Sequence, residues 1–270
     1  MSKRKLIIAI DGGGIRGIIP LVILRHIQNH FDKSLFDAAD KWYGTSTGAL
    51  ISAGLLIQDQ DSFSNAVQNV LDIYEFRSGS SVNPLRTSKP ERALHKIVDE
   101  NFEENTFERL PKLHVVCCQK PDFSVEVFSL KNNVSVAESL KASCAVPGIF
   151  EPVKIKGKHY VDGFIKAKNP SLIAIENEIQ NDNLILLSLG TGILREIDET
   201  EIQVRATHKK CEELAEKNGF HYFRFNPTLE EAADNMQDAR LKNIFALKKD
   251  AENYLQRKKS KLDDLIRLLS

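Results

Sequence analysis

Lys5-Leu6-Ile7-Ile8-Ala9-Ile10 runs without a gap into Asp11-Gly12-Gly13-Gly14-Ile15-Arg16-Gly17, and an apolar-periodic segment follows from Ile18 to Phe31. A short, almost wholly apolar run of this kind predicts a strand buried on both faces, as in a parallel sheet. Strand, glycine loop and helix in direct succession open an α/β fold. Three consecutive glycines let neighbouring backbone N–H groups converge on one point near a helix N-terminus, where the partial positive charge favours an anion.

The second informative stretch is Gly44-Thr45-Ser46-Thr47-Gly48, set between a short apolar run and Ala49-Leu50-Ile51-Ser52-Ala53-Gly54. This is the layout of a nucleophile elbow, in which a sharp strand-to-helix turn lifts a serine hydroxyl clear of the backbone and flanking glycines permit the tight approach. Read alone, the string is also compatible with an ordinary turn, because Gly, Ser and Thr cluster there too. Beside the glycine loop it points to acyl transfer. A serine nucleophile needs donors for the oxyanion of its tetrahedral intermediate, and Gly12, Gly13 and Gly14 are the candidates.

The same loop spells Gly12-x-Gly14-x-x-Gly17, the dinucleotide fingerprint. That fold requires an acidic residue at the end of a second strand about 20 residues on. Asp32 and Asp37 are the available acids, and both lie in the polar stretch Asp32-Lys33-Ser34-Leu35-Phe36-Asp37, with no strand pattern before it. A dinucleotide-binding protein is thus the weaker alternative, and no Gly-Lys-Ser/Thr follows the glycines to make a P-loop.

The base for Ser46 sets the subclass. None of His26, His30, His95, His114, His159, His208 and His221 lies in a glycine-bordered loop of the kind that carries a triad histidine, so surface or helix-face positions are expected for them. Asp162 follows the strand pattern Lys158-His159-Tyr160-Val161 and precedes Gly163, which puts a carboxylate at a strand end. An isolated Asp-Gly is commonly a plain turn, and its company with Ser46 makes it a catalytic candidate.

With these pieces the chain resembles the patatin-like phospholipases. The resemblance rests on Asp11-Gly12-Gly13-Gly14-Ile15-Arg16-Gly17 for the oxyanion loop, Gly44 to Gly48 for the elbow, and Asp162-Gly163 for the base of a Ser-Asp dyad. Weaker similarities are Ala142 to Pro152 before the aspartate, Ser188-Leu189-Gly190-Thr191-Gly192, and Phe223-Arg224-Phe225-Asn226-Pro227, so nearly the whole chain is covered. One departure is Phe164, where the family usually has Gly or Ala after Asp-Gly, which places a bulky ring near the dyad.

The resemblance implies a three-layer α/β/α patatin-like domain with a mostly parallel central sheet, and a serine lipid acyl hydrolase of phospholipase A or lysophospholipase type. In that reading Ser46 attacks a fatty acyl ester of a phospholipid or related substrate, Asp162 takes its proton, and Gly12, Gly13 and Gly14 hold the oxyanion. Arg16 either pairs with a substrate phosphate or caps local carbonyls. No metal or organic cofactor is implied. A ligand- or nucleotide-activated phospholipase effector on the same fold is a second reading. A catalytically silent binding module is a third, opposed by the intact Ser46 and Asp162.

Composition agrees with an enzyme: 270 residues, 42% hydrophobic, suffice for one large core, and a single domain over residues 1–270 is expected. Lys plus Arg and Asp plus Glu both number 37, so net charge gives no sign of nucleic-acid binding. Only Leu6 to Ile10 separate the basic start from Asp11, too few for a signal-peptide core, and no stretch approaches a membrane span. A cytoplasmic location is expected, with peripheral membrane contact left open. Cys117, Cys118, Cys144 and Cys211 show no metal spacing and read as buried free thiols.

Alternating strands and helices run throughout. Helices are expected at Phe63 to Tyr74 and Glu91 to Phe102, with a flexible loop from Ser78 to Pro84 between them. Strands are expected at Leu113 to Cys118, Val125 to Phe128 and Leu184 to Leu189, giving a mostly parallel sheet with helices on both faces. From about Gln237 to Leu269 the chain is charged and amphipathic, and one helix is predicted. Its role is either packing across the sheet or contact with an anionic bilayer through Arg257, Lys258, Lys259 and Lys261.

Overall fold

The computed structural model describes residues 4–58, 62–75, 89–179 and 183–270. The loop expected from Ser78 to Pro84 lies outside the described residues.

The chain opens with β1 (Lys5–Ile10), a 3-10 turn over Gly14–Gly17, α1 (Ile18–Asn29), the single turn α2 (Leu35–Ala38) and β2 (Ala39–Thr45). The elbow then starts α3 (Thr47–Leu56), followed by α4 (Phe63–Glu75), α5 (Pro90–Phe102), β3 (Leu113–Gln119) and β4 (Ser124–Phe128). Next come α6 (Val136–Ser143), β5 (Val153–Ile155), β6 (Lys158–Asp162), α7 (Phe164–Ala167) and α8 (Ser171–Glu178). The last part holds β7 (Leu184–Leu189), α9 (Glu199–Asn218), β8 (His221–Phe225), α10 (Leu241–Arg257) and α11 (Lys259–Leu269).

Hydrogen-bonded neighbours follow the order β5-β6-β3-β2-β1-β7-β8, and β4 pairs with β3 as well. The five strands β3, β2, β1, β7 and β8 are parallel, while β4, β5 and β6 join antiparallel at one side. β1 shows why the sheet is sandwiched. Leu6, Ile8 and Ile10 turn to a core shared with α1, α3, α4 and α10, and Ile7 and Ala9 turn to the other face, where Ala174 and Ile175 of α8 and Cys211 and Ala215 of α9 cover them. Period-two alternation of side chains thus serves two apolar layers at once, and each fully buried aliphatic side chain contributes about 1.5 to 3 kcal/mol.

The edges of β3 place the catalytic candidates. Residues Val115 and Val116 pair with both β2 and β4, so those two strands occupy opposite edges. Residues 117 to 119 pair with both β4 and β6, which puts β6 on the same edge as β2. β2 runs parallel to β3 and ends at Thr45 opposite Val116; β6 runs antiparallel and ends at Asp162 opposite Cys117. Two strands therefore meet end to end along one edge of a third.

Local chemistry sets the helices. Ser135 and Glu138 form a capping box at the start of α6. The Asp198 carboxylate accepts the Glu201 N–H at 2.7 Å at the start of α9, and Gly219 closes that helix in the left-handed conformation with φ 70°. The helix expected from Gln237 to Leu269 begins at Leu241 and is two helices, broken at Lys258, whose φ of −109° and ψ of 24° leave the helical region. Both pack on the main core through Leu247, Leu255, Leu262 and Leu265. No described helix is long and apolar enough to cross a membrane.

Candidate active site

Ser46 sits between β2 and α3 with φ 54° and ψ −123°, a backbone conformation that is costly for any residue with a side chain and recurs at functional turns. The flanking glycine explains how the turn closes: a Cβ on Gly48 would lie 2.2 Å from the Ile10 carbonyl oxygen, so only glycine lets α3 start this close to the end of β1. The Ser46 N–H donates to Ser143 Oγ at 2.8 Å, and the Ser143 hydroxyl donates to the Val116 carbonyl at 2.7 Å. Thr45 Oγ1 donates to the Ala167 carbonyl at 2.7 Å. The turn is thereby tied to β3 on one side and α7 on the other.

Asp162 ends β6 and is fully buried. Its N–H donates to the Ala145 carbonyl at 2.9 Å, and its Oδ1 accepts the Phe164 N–H at 2.8 Å. Oδ2 makes no hydrogen bond among the described residues. Burial raises its pKa to about 7, partly offset by the Phe164 N–H and by the nearby Ser46 hydroxyl. The Ser46 hydroxyl lowers the pKa in the way a hydrogen bond to the carboxylate does, by favouring its charged form. A carboxyl poised near neutrality can accept a proton.

The glycine loop faces the same place. A Cβ on Gly12 would stand 3.3 Å from Ser46 Cβ. The Gly12 N–H, however, donates to the Lys168 carbonyl at 2.9 Å, so this group is already engaged and the expectation of three free donors is corrected to two. The N–H groups of Gly13 and Gly14 have no protein acceptor among the described residues. Thr191 Oγ1 donates to the Gly12 carbonyl at 2.7 Å, and the Ile15 N–H donates to the Met236 carbonyl at 3.0 Å, which fix the loop from both ends. At its base Asp11 is buried against Arg224 with contacts of 2.6 and 3.2 Å. Burial opposes the Arg224 charge, but the Asp11 carboxylate more than offsets this and holds the guanidinium pKa above its usual range.

Arg16 does not reach the site. It is 2% exposed, lies outside the cavity described below, and aims Nε at the Gly13 carbonyl at a long 3.4 Å. Burial lowers its pKa against the opposing pull of Asp234 and Glu201. A buried guanidinium turned to its own loop cannot meet a substrate phosphate, and the carbonyl-capping alternative is the one its geometry fits.

A cavity of about 350 Å³ opens beside Ser46 and Asp162. Its walls are mostly apolar, with Leu50 of α3, Val70 of α4, Leu94, Ile97 and Phe102 of α5, and Phe150 among them. Phe164 also lines it, beside Ser46 and Asp162, without filling it. No histidine does. His114 departs from the expected surface position: it is buried on β3, stacked on Tyr43 at 4.3 Å, and burial lowers its pKa to about 4. The dinucleotide alternative also loses its acid, because Asp32 and Asp37 precede β2 instead of ending it. Ser143, Thr191 and the Ala145 carbonyl were not singled out from the sequence; they fall in the segments 142–152 and 188–192, which carry no chemical signal beyond the family resemblance.

The sequence model of the family described as patatin-like phospholipase matches residues 8–175. The chain belongs to the patatin-like phospholipase family. Among curated proteins it is similar to Patatin group D-3 of Solanum tuberosum, 25% identical over 305 residues that cover 95% of this chain and 76% of that protein. Patatin-16 of the same organism is 26% identical over 304 residues with the same coverage. A solved structure similar to it is VipD from Legionella pneumophila, with a TM-score of 0.45, 13% identity, and coverage of 97% of this chain and 67% of that one. Family membership supports a lipid acyl hydrolase activity and lipid acyl esters as the substrate class.

Proposed function

We propose that this chain is a phospholipase A or lysophospholipase type enzyme that cleaves fatty acyl esters with a Ser46–Asp162 dyad. The observation that carries the reading is the buried Asp162 carboxyl beside the strained Ser46 turn, with an Oδ2 that makes no hydrogen bond among the described residues and a pKa near neutrality. Ser46 Oγ attacks the ester carbonyl and its proton passes to Asp162 Oδ2. The N–H groups of Gly13 and Gly14 receive the oxyanion, acting where charge develops. Collapse of the tetrahedral intermediate expels the alcohol, which takes the proton back from Asp162, and leaves the acyl group on Ser46. Water then attacks the acyl-enzyme with Asp162 again accepting the proton, and that proton passes to Ser46 Oγ as the ester bond to serine breaks and the fatty acid leaves. An apolar cavity with one polar end suits a substrate whose ester lies at the dyad and whose hydrocarbon lies among Leu50, Val70 and Leu94.

The test is covalent labelling with a fluorophosphonate, which reacts only with an activated serine. Labelling mapped to Ser46 and lost in Ser46→Ala, together with turnover of a fatty acyl ester, is the expected result. Esterase turnover by Ser46→Ala close to that of the parent would sink the assignment.

A further inference from the structure

The cavity has a direction. From the nucleophile it follows one face of α3, lined by Thr47, Leu50, Gly54 and then Ile57 just past the helix end. Opposite, Leu94, Ile97 and Asn101 form a stripe at helical spacing on α5. At 1.5 Å per residue, the path from Ser46 is about 12 Å to Gly54 and about 17 Å to Ile57.

Gly54 is unusual on this path. Glycine inside a helix costs about 1 kcal/mol relative to alanine, and of the α3 residues lining the cavity it alone lacks a side chain. A Cβ built there would have one neighbour within 4 Å, Val70 Cγ2 of α4 at 3.3 Å. That contact is already tighter than ordinary van der Waals packing, so a side chain at 54 must push Val70 aside or extend into the cavity that both residues line, at a fixed distance from Ser46.

We infer that Gly54 sets the acyl chain length this enzyme accepts, with one extended chain running from Ser46 past Gly54 to Ile57. The inference rests on the proposed hydrolase reading, because the chain is measured from Ser46. Three backbone bonds span about 3.5 Å when extended, so a hydrocarbon chain advances roughly 1.2 Å per bond. The path to Ile57 then holds about 14 bonds and the path to Gly54 about 10. Tetradecanoyl and hexadecanoyl esters fill the cavity, whereas octanoyl and decanoyl esters stop at the glycine.

The experiment measures kcat/KM for p-nitrophenyl esters from butanoyl to octadecanoyl, presented at one mole fraction in detergent micelles, with Ser46 labelling run on every variant. The parent should peak at tetradecanoyl to hexadecanoyl. Gly54→Leu should move the peak to octanoyl or decanoyl and lower the hexadecanoyl-to-octanoyl ratio at least tenfold, since even one misplaced methylene in an apolar pocket changes selectivity by about that much. Adding Val70→Ala to Gly54→Leu should return the peak toward longer chains. Where Gly54→Leu fails to fold by circular dichroism, Val70→Phe narrows the same stretch of the cavity from the facing helix and must shift the peak in the same direction. A flat chain-length profile, or a peak that none of these variants moves while Ser46 still labels, overturns the role of Gly54 and leaves the hydrolase reading standing. Absence of both labelling and turnover in the parent removes the two together.

Discussion

The Ser143 hydroxyl accepts a hydrogen bond from the Ser46 N–H at 2.8 Å and donates one to the Val116 carbonyl at 2.7 Å. Through this one buried side chain the strained turn that carries the nucleophile is fastened to the strand beside it. Two residues further on, the Ala145 carbonyl accepts the Asp162 N–H at 2.9 Å. One short segment thus holds the backbone of both Ser46 and Asp162.

Ser143→Ala should cut kcat by about an order of magnitude or more with little change in KM. Removing the hydroxyl leaves a buried N–H and a buried carbonyl without partners, at a cost of about 1 to 3 kcal/mol, and the turn can relax away from its productive conformation. Steady-state kinetics and thermal unfolding read the two effects, and Ser143→Thr, which keeps the hydroxyl, should recover part of the rate. Unchanged kcat in Ser143→Ala would show that the turn holds itself.

Asp162→Asn should lower kcat by about 10²- to 10⁴-fold, the usual contribution of a general base, because the amide keeps the shape but cannot take the serine proton. His159→Ala and His208→Ala should remain near the parent rate, since neither histidine lines the cavity. A histidine variant as damaged as Asp162→Asn would overturn the dyad.

In the parent, kcat/KM should rise with pH through a single ionisation near 7, the value to which burial lifts Asp162, because only the carboxylate can act as base. Stability should move the other way. A carboxyl whose folded pKa lies above its unfolded value binds its proton more tightly when folded, so its stabilising effect is complete below about pH 4 and disappears as pH rises through about 7. Asp162→Asn should therefore gain in melting temperature relative to the parent between pH 4 and pH 7 and hold that gain above, with about 4 kcal/mol as the ceiling. Melting curves across that range decide it, and a gain that is the same at pH 4 and pH 8 would contradict the raised pKa.

Gly13→Val should reduce kcat by about 10²- to 10³-fold, the usual effect of losing one oxyanion donor. The reason is space: a Cβ there would stand 2.3 Å from Thr191 Oγ1, so the loop must shift and carry its N–H groups with it. Calorimetric titration of the parent with NAD and FAD should give no heat of binding. Tight dinucleotide binding with unchanged ester hydrolysis in the variant would restore the nucleotide reading of the loop.

The frame of the fold is legible in the sequence where the apolar pattern is strong. β1 and β7 fall on the residues expected, Lys5–Ile10 and Leu184–Leu189, because strands buried on both faces read as unbroken aliphatic runs. α9 leaves no such pattern, since its 20 residues bury little apolar surface beyond Val204, Cys211 and Ala215 and are otherwise dominated by charge. The split at Lys258 was equally invisible, having no Gly or Pro to mark it. At the site, Ser46 and Asp162 stood out by their neighbours in sequence, but the commitment of the Gly12 N–H to Lys168 and the inward turn of Arg16 depend on segments far along the chain. Ser143 was hidden for the same reason: a serine ending a helix looks like any other until β3 is laid beside it.

The head-on meeting of β2 and β6 has a consequence for how this chain can change. More than a hundred residues separate Ser46 from Asp162, yet their spacing is set by one peptide unit, Val116 to Cys117. Insertions within the connections flanking α4 and α5 alter the length of the intervening chain without altering that unit. The walls around the substrate can be rebuilt by such changes while the chemistry keeps its geometry, whereas a single added residue in the middle of β3 would slide Asp162 out of reach of Ser46.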